Sequence, residues 1–154
     1  MILTSGMKTP EMFTAIETIS MRSFQGPECP PLGILRNNFD RCTVFVDSYP
    51  PYADFGIYGF AITVLQPHPH LWSMAVDPYF RGLGKGGDLL REITQHYRGL
   101  NQDRITLNCR TDNPAQKLYF DQGYRAIRVT RNYYGDKDGL LMNLNLKSRR
   151  NDEN

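Results

Sequence analysis

Long apolar runs, an excess of one charge and closely spaced cysteines are all missing from this chain of 154 residues. Because no stretch of about 18 apolar residues occurs, the sequence offers no candidate for a membrane-spanning helix. The 18 Lys and Arg side chains nearly balance the 16 Asp and Glu side chains. A net charge of +2 gives no electrostatic reason to expect nucleic acid as the main partner. We therefore expect neither a membrane nor a nucleic acid among the partners.

The three cysteines, Cys29, Cys42 and Cys109, are widely spaced and odd in number. A structural zinc site needs about four ligands at short spacing, and no cysteine lies near His68 and His70 in the sequence. The first residues also lack the basic run and apolar segment of a secretory signal. Together these absences predict reduced thiols, no metal site and a cytoplasmic location.

What is present is the composition of a globular domain, with 40% hydrophobic and 22% charged residues. A chain of about 150 residues is long enough for one domain whose core needs neither metal nor disulfide. The last seven residues are polar. We therefore expect a single domain over residues 1–147 and a frayed tail over residues 148–154.

The first half of the chain predicts two helices and two strands. Thr9, Pro10 and Glu11 combine an N-cap residue, a proline at the first helical position and an acid in the first turn, so a helix should run to about Phe24. A second, short helix opens at Pro30-Pro31. The strands are predicted at residues 43–46 and 57–65, with a proline-containing turn at 48–54 between them.

The second half is more regular and centres on one β-α-β unit. A strand at 71–76, a glycine-rich loop, a helix at 86–98 and a strand at 105–109 follow one another, and a helical crossover of this kind joins parallel strands. The earlier strands have no helix between them and should be antiparallel. The expected fold class is therefore α/β, with a mixed, mostly antiparallel sheet around a central β-α-β unit flanked by helices.

After this unit the sequence predicts a helix and a hairpin. Asn113, Pro114 and Gln116 have the spacing of a capping box, and Gly123 provides a stop for the helix. Two further strands are predicted at 126–130 and 140–146. The turn between them is expected at residues 136–139.

The glycine-rich loop, residues 81–87, has the composition of a phosphate-binding loop at a helix start. The P-loop pattern fails because Lys85 is followed by glycine rather than Ser or Thr. Residues 82–87 match G-x-G-x-x-G, and Asp112 could supply the acid of a dinucleotide site, but too little chain follows for a doubly wound domain. The remaining pattern is R-x-x-G-x-G, at Arg81, Gly84 and Gly86.

The run from Ala75 to Gly86 closely resembles the acetyl-CoA-binding motif of the GNAT (Gcn5-related) N-acetyltransferases. Residues 113–115, 118–119 and 123–124 (N-P-A, L-Y and G-Y) resemble the next motif of that family. The two motifs cover about residues 70–146 in the family's order. The resemblance implies the GNAT acyl-CoA N-acyltransferase fold and an acetyl-CoA-dependent N-acetyltransferase, with acetyl-CoA as co-substrate and no metal.

The resemblance also assigns the residues that would bind acetyl-CoA. In the family, amides of the glycine-rich loop bind the CoA pyrophosphate, and strand backbone groups bind the pantetheine arm. The pantetheine arm would meet backbone groups of Met74 and Val76, with Asn113 nearby. The loop residues that correspond here are Arg81, Gly82, Leu83, Gly84, Lys85 and Gly86.

The catalytic groups follow from the same resemblance. Tyr119 matches the tyrosine that donates a proton to the CoA sulfur, although it could instead be a core aromatic beside Leu118 and Phe120. Asn108 stands where the alanine acetyltransferases of the family carry a glutamate base, and an amide cannot take a proton. His70 lies where other members carry a base on the preceding strand, and an imidazole suits this role at pH 7. The alternative for His70 is a surface residue of the turn at 67–70.

A segment in the last part of the chain indicates the class of acceptor. The segment from Arg131 to Gly135, R-N-Y-Y-G, resembles the ribosomal-protein alanine acetyltransferases and other protein N-terminal acetyltransferases, in which tyrosines help to hold the peptide's N-terminus. Tyr133 and Tyr134 would then bind the acceptor, or they could simply close the end of the sheet. Glu28 lies in the loop that often borders the acceptor groove in the family, so it is a further candidate for the base or for acceptor binding. The alternative for Glu28 is a solvated acid among prolines.

We therefore expect N-acetylation of a protein or peptide N-terminus by direct attack in a ternary complex. A small-molecule amine, such as a polyamine or an aminoglycoside, remains an alternative acceptor. A non-catalytic acyl-CoA-binding module is the alternative outside enzymes, because Asn108 replaces an acid. Either a monomer or a homodimer would agree with the sequence.

Overall fold

The computed structural model describes residues 1–3, 8–24, 32–38, 41–48, 56–65 and 67–147. The predicted tail 148–154 lies outside these ranges, as do Glu28, Cys29 and most of the predicted turn at 48–54. The helices within them are α1 (Pro10–Ser23), α2 (Leu32–Asn38), α3 (Lys85–Gly99) and α4 (Gln116–Asp121). The strands are β1 (Thr43–Ser48), β2 (Ile57–Leu65), β3 (Pro69–Val76), β4 (Arg104–Arg110), β5 (Arg125–Tyr134) and β6 (Lys137–Asn145).

The first helix begins and ends as the sequence predicts. The Thr9 side chain accepts a hydrogen bond from the backbone N–H of Met12 at 3.3 Å, and Pro10 occupies the first turn, where its missing N–H costs nothing. The helix ends one residue before Phe24. Its buried face carries Met12, Phe13, Ile16, Ile19 and Ser20.

The described strands form one sheet in the order β1-β2-β3-β4-β6-β5. The pair β3–β4, which α3 connects, is parallel, and every other neighbouring pair is antiparallel. This arrangement confirms the mixed, mostly antiparallel sheet with its central β-α-β unit. It also excludes the dinucleotide-binding fold that G-x-G-x-x-G alone would allow, because that fold needs several parallel units side by side.

Alternating side chains of the strands build a separate hydrophobic core on each face of the sheet. Phe45, between Val44 and Val46 on β1, packs with the apolar face of α3, and we name this layer the α3-side core. Val44 and Val46 pack with the apolar face of α1, and we name this layer the α1-side core. Each large apolar side chain buried in this way contributes roughly 1.5–3 kcal/mol. The sheet is thus held between two helical layers.

The hairpin of β5 and β6 corrects the predicted turn at 136–139. Both strands continue further than expected, so that Tyr134 pairs with Lys137 and only Gly135 and Asp136 lie between the strands. Gly135 takes a φ of +74°, which suits the first loop position of a tight hairpin. Gly139, which had indicated a turn, lies inside β6. Glycine suits this position because a side chain there would collide with Tyr133.

The predicted capping box of α4 is also corrected, because the helix begins at Gln116 rather than just after Asn113. The Asn113 side chain accepts from the Ala115 N–H at 2.9 Å and so forms a local turn before the helix. The Gln116 amide donates to the Arg110 carbonyl at 3.0 Å instead of reaching back to the cap. Gly123, at φ +98°, ends this segment as predicted.

Candidate active site

The candidate site is a cavity that opens where β3 and β4 part. These strands pair only through His70 with Thr106 and Leu71 with Leu107, although both continue beyond these pairs. A cavity of 590 Å³ occupies the space between their ends, a volume typical of small-molecule sites. Its lining comes from five elements or loops: Ser23 and Phe24; Met74, Ala75 and Val76; Phe80, Arg81, Gly82, Gly84, Lys85, Gly86 and Gly87; Arg110; Asn113, Pro114, Ala115, Leu118 and Tyr119.

The edge of β3 presents backbone groups to this cavity. The Asp77 N–H donates to the Tyr58 carbonyl at 2.7 Å, so the backbone groups of Asp77 face β2. Because backbone groups of an antiparallel pair alternate in direction, those of Val76 and Met74 face away from β2, toward the gap left by β4. The Val76 carbonyl accepts from Arg81 Nε at 3.1 Å. The N–H and carbonyl of Met74 and the N–H of Val76 remain directed at the cavity.

The glycine-rich loop and the start of α3 form the other end of the cavity. Gly82 and Gly84 both have φ +78°, a conformation that other residues adopt only under strain. A Cβ built on either glycine would meet no atom within 4 Å, so the space beside their backbone is open. The first N–H groups of α3 have no helical partner and lie at the positive end of its dipole. This combination fits a phosphate group.

The side chains of Lys85 and Leu83 have different surroundings from the rest of the loop. The Lys85 ammonium lies 3.2 Å from the Asp47 carboxylate and 4.5 Å from the centre of the Tyr58 ring, and the hydrogen bond to Asp47 raises its pKa. The backbone of Lys85, rather than its charge, is thus the part available to a ligand. Leu83 is 65% exposed and is absent from the lining given above.

Tyr119 lines the cavity from α4 and is 8% exposed. Burial, with smaller effects of Cys109 and Tyr134, raises the pKa of its hydroxyl well above the usual range. The phenol therefore keeps its proton at neutral pH and can donate it to a group in the cavity. The Tyr124 ring lies edge-on to the Tyr119 ring, with the ring centres 6.0 Å apart, and both rings belong to the α3-side core. Tyr119 thus packs in this core and also lines the cavity.

The predicted base, His70, lies where the two strands are still paired. Its Nδ1 is 2.8 Å from the Thr106 hydroxyl, which also lies 3.1 Å from His68 Nε2. Burial, and then the neighbouring His68, lower the pKa of His70 below its ordinary value, so the ring is neutral at pH 7. His70 precedes Met74 by four strand residues, about 13 Å. It does not belong to the lining of the cavity among the residues that the structure describes.

Asn108 is half-buried on β4, just beyond the last residue that pairs with β3. Its neighbours Leu107 and Cys109 point into the α3-side core. Strand alternation therefore directs the Asn108 side chain to the opposite face, the face of Thr106. The structure thus puts Asn108 at the open end of β4 and outside the cavity lining.

Tyr133 and Tyr134 stand at the end of β5, with their rings edge-to-face at 4.9 Å. Tyr133 is 49% exposed. Tyr134 is near enough to Tyr119 to affect the pKa of that hydroxyl. The tyrosine pair therefore lies beside the cavity without lining it.

Sequence reasoning missed the contribution of α1. Ser23 and Phe24 line the cavity, and the Arg81 guanidinium donates to the Ser23 hydroxyl at 3.2 Å. Arg22 forms an ion pair of 3.1 Å with Asp77, which is buried and also accepts from the Tyr79 N–H. No sequence signal pairs α1 with the loop, because these contacts join residues more than 50 positions apart.

Arg110 was also missed. It lines the cavity at the end of β4 and holds Asp112 with two hydrogen bonds, of 2.7 and 3.1 Å. Among the described ranges, the structure shows no group of three His, Cys, Asp or Glu side chains that could hold a metal ion. The helices found there are also too short or too polar to cross a membrane.

Residues 13–124 match the family model described as "Acetyltransferase (GNAT) family". A curated relative, the [ribosomal protein bS18]-alanine N-acetyltransferase of Haemophilus ducreyi, is 34% identical over 89 residues, which cover 56% of this chain. That alignment spans 61% of the relative's own length. The family model therefore includes the glycine-rich loop, whereas the alignment with this relative leaves part of each protein unmatched.

Solved structures with the same fold match nearly the whole chain. The ribosomal-protein-S18-alanine N-acetyltransferase from Escherichia coli has a TM-score of 0.77 at 22% identity, over 99% of this chain and 97% of the other. A chain of the NatC complex bound to Gag peptide and CoA has the same TM-score at 18% identity, over 96% of this chain and 98% of the other. At these identities the similarity establishes the fold.

Proposed function

The chain belongs to the acetyltransferase (GNAT) family, and we propose that it transfers an acetyl group from acetyl-CoA to the N-terminal amine of a protein or peptide. The observation that carries this proposal is the gap between β3 and β4, which joins a phosphate-binding helix start to a buried phenol. The acceptor class is supported by Tyr133 and Tyr134 beside the cavity and by the names of the relatives.

The cavity fits an extended, phosphate-bearing thiol ester. The amides at the start of α3 would bind the pyrophosphate, and the Met74 and Val76 backbone would hydrogen-bond to an amide-containing arm, as an added strand does. Asn113 lines the same cavity beside α4. Held this way, the arm would run from the loop toward Tyr119, which places the reactive end between β3 and β4.

The reaction then needs a proton donor and a proton acceptor from the chain. Attack by the amine nitrogen forms the C–N bond and breaks the C–S bond of the thioester. Tyr119 donates its proton to the departing sulfur, because its raised pKa keeps the phenol protonated until negative charge develops nearby. The amine loses one proton in the same reaction. The proton count balances when an equivalent proton returns to the Tyr119 phenolate.

We assign to His70 the acceptance of the proton that the amine loses. This proton would reach His70 through intervening water rather than by direct contact. The neutral imidazole can accept a proton, and Thr106 fixes its orientation. Asn108 has no useful proton affinity, so its amide would only position the acceptor. Glu28 lies outside the described residues and is not needed in this assignment.

The test is a panel of peptides, polyamines and aminoglycosides assayed by release of free CoA thiol. We expect turnover with peptides that carry a free N-terminus and none when that terminus is blocked. Tyr134→Ala should raise the KM for the peptide, while the rise in melting temperature caused by acetyl-CoA persists. Turnover of small amines alone would replace the acceptor class, and acetyl-CoA binding without turnover of any amine would favour a non-catalytic module.

A further inference from the structure

We propose that Asp138 is a positioning residue that fixes Tyr133 and Tyr134 for the acceptor by tying the tip of the β5–β6 hairpin to the wall of the cavity. This inference rests on the proposed function, because it explains how that acceptor would be held. Asp138 does not touch the cavity itself, and it acts through the two tyrosines.

The hairpin departs from regular pairing just where the tyrosines stand. The register between β5 and β6 shifts between Thr130 and Tyr134. Within this irregular stretch Asn132 has a φ of +52°, in the left-handed region. Asparagine tolerates this conformation better than most residues, but a single such residue in a strand needs support from its surroundings.

Asp138 provides that support with its side chain. Its Oδ1 accepts a hydrogen bond of 3.0 Å from the Asn132 N–H, which the irregular register has removed from the ladder. The bond spans the hairpin and joins residues six positions apart. It fixes the backbone immediately before Tyr133 and therefore the direction in which both tyrosines leave the strand.

The backbone of Asp138 makes the second connection. Its carbonyl accepts a hydrogen bond of 3.1 Å from the Thr111 N–H. Thr111 directly follows Arg110, which lines the cavity and pairs with Gly139 on β6. One residue thus bonds to the cavity wall on one side and to the tyrosine segment on the other.

Gly139 completes the arrangement by allowing close contact. A Cβ built on Gly139 would lie 2.7 Å from the Tyr133 Cβ and 2.8 Å from its Cγ, distances that real side chains do not tolerate. The Tyr133 ring therefore rests directly on the β6 backbone, and Tyr134 packs edge-to-face against it. The two aromatic rings are held before any acceptor arrives, which lowers the entropy cost of binding.

The experiment compares Asp138→Ala with Asp138→Asn in the full chain. Loss of the hydrogen bond in Asp138→Ala should raise the KM for a peptide acceptor about tenfold, with kcat and the KM for acetyl-CoA nearly unchanged. The amide oxygen of Asp138→Asn can accept the same N–H, so this variant should restore the wild-type KM. Asp103→Ala, which removes an exposed carboxylate paired with Lys147, is the matched control.

A readout independent of turnover is the proton NMR shift of the Gly139 Hα, which the Tyr133 ring should perturb. That perturbation should disappear in Asp138→Ala and return in Asp138→Asn. An unchanged peptide KM in Asp138→Ala, or an equal rise in both variants, would overturn the positioning role. A wild-type protein that acetylates small amines but no peptide would instead contradict the proposed acceptor, and with it this role of Asp138.

Discussion

The strand β4 pairs over very different lengths with its two neighbours. Its seven residues all pair with β6, whereas only Thr106 and Leu107 pair with β3. On the β6 side the backbone groups pair with one another. On the β3 side the described part of β4 continues beyond Leu107 without pairing with β3, and its last residue, Arg110, lines the cavity. Unpaired backbone groups inside a protein are costly unless a ligand or water bonds to them. Full pairing with β6 keeps β4 in the sheet while its other edge borders the opening.

Tyr119 stands at the base of the open side, and its replacement should have the largest effect. Tyr119→Phe removes the proton donor and should lower kcat by about 10²–10⁴-fold. Acetyl-CoA should still raise the melting temperature of this variant, because the phenol is not part of the loop that would bind phosphate. Steady-state kinetics and a thermal melt give the two readouts.

Tyr124→Phe is the matched control for Tyr119→Phe. Within the described part of the chain the Tyr124 hydroxyl is buried without a hydrogen-bond partner, so its removal should leave kcat unchanged and the fold at least as stable. If both variants lost activity equally, the aromatic packing rather than the Tyr119 proton would be responsible.

His70 belongs to the paired part of the β3–β4 contact, and its replacement should give the next largest effect. His70→Ala should lower kcat by about 10²-fold. In the wild type the base is active when neutral, and burial and His68 lower its pKa. The acid limb of the pH–rate profile should therefore have its inflection below 6.5, and the variant should lose that inflection.

Asn108→Ala separates the role of His70 from that of Asn108, which lies on β4 two residues beyond Thr106, the partner of His70. This variant should lose less activity than His70→Ala and keep the acid inflection. A His70→Ala protein with an unchanged pH–rate profile would show that the proton leaves by another route.

Gly84→Val tests the mouth of the opening through ligand binding rather than turnover. At one hundred times its Kd, acetyl-CoA should stabilise the wild type by about 2.7 kcal/mol, or several degrees of melting temperature. A β-branched residue at φ +78° should abolish this shift by distorting the loop. Gly99→Val, at an exposed glycine without positive φ, should retain it. NAD should stabilise none of these proteins, and an equal shift with NAD would contradict the proposed ligand.

The sequence predicted best what depends on neighbouring residues. Thr9 and Pro10 determine where α1 begins, and Gly82 and Gly84 of the loop have the positive φ that their pattern indicates. The hairpin turn was misplaced because Asp138 and Gly139 are typical turn residues, yet here they serve contacts with Asn132 and Tyr133 across the strand pair. Such contacts depend on register, which local composition does not determine.

The site shows the same division between local and distant information. The motif residues from Met74 to Gly86 could be placed by pattern, since one continuous segment carries them. Ser23, Phe24 and Arg110 reach the cavity through the packing of α1 and the divergence of β4. No spacing in the chain indicates that divergence, because it is a property of two strands that 27 residues separate in the sequence.

Asp77 gives the candidate site a mechanical property as well as a chemical one. Its buried carboxylate holds the turn before the glycine-rich loop through the Tyr79 N–H and holds α1 through Arg22, while Arg81 grips Ser23 a short distance away. Two polar contacts, Arg22 with Asp77 and Arg81 with Ser23, therefore connect α1 to the loop. A displacement of the loop must carry the end of α1 with it, so the Ser23–Phe24 wall of the cavity moves in step with the phosphate-binding end.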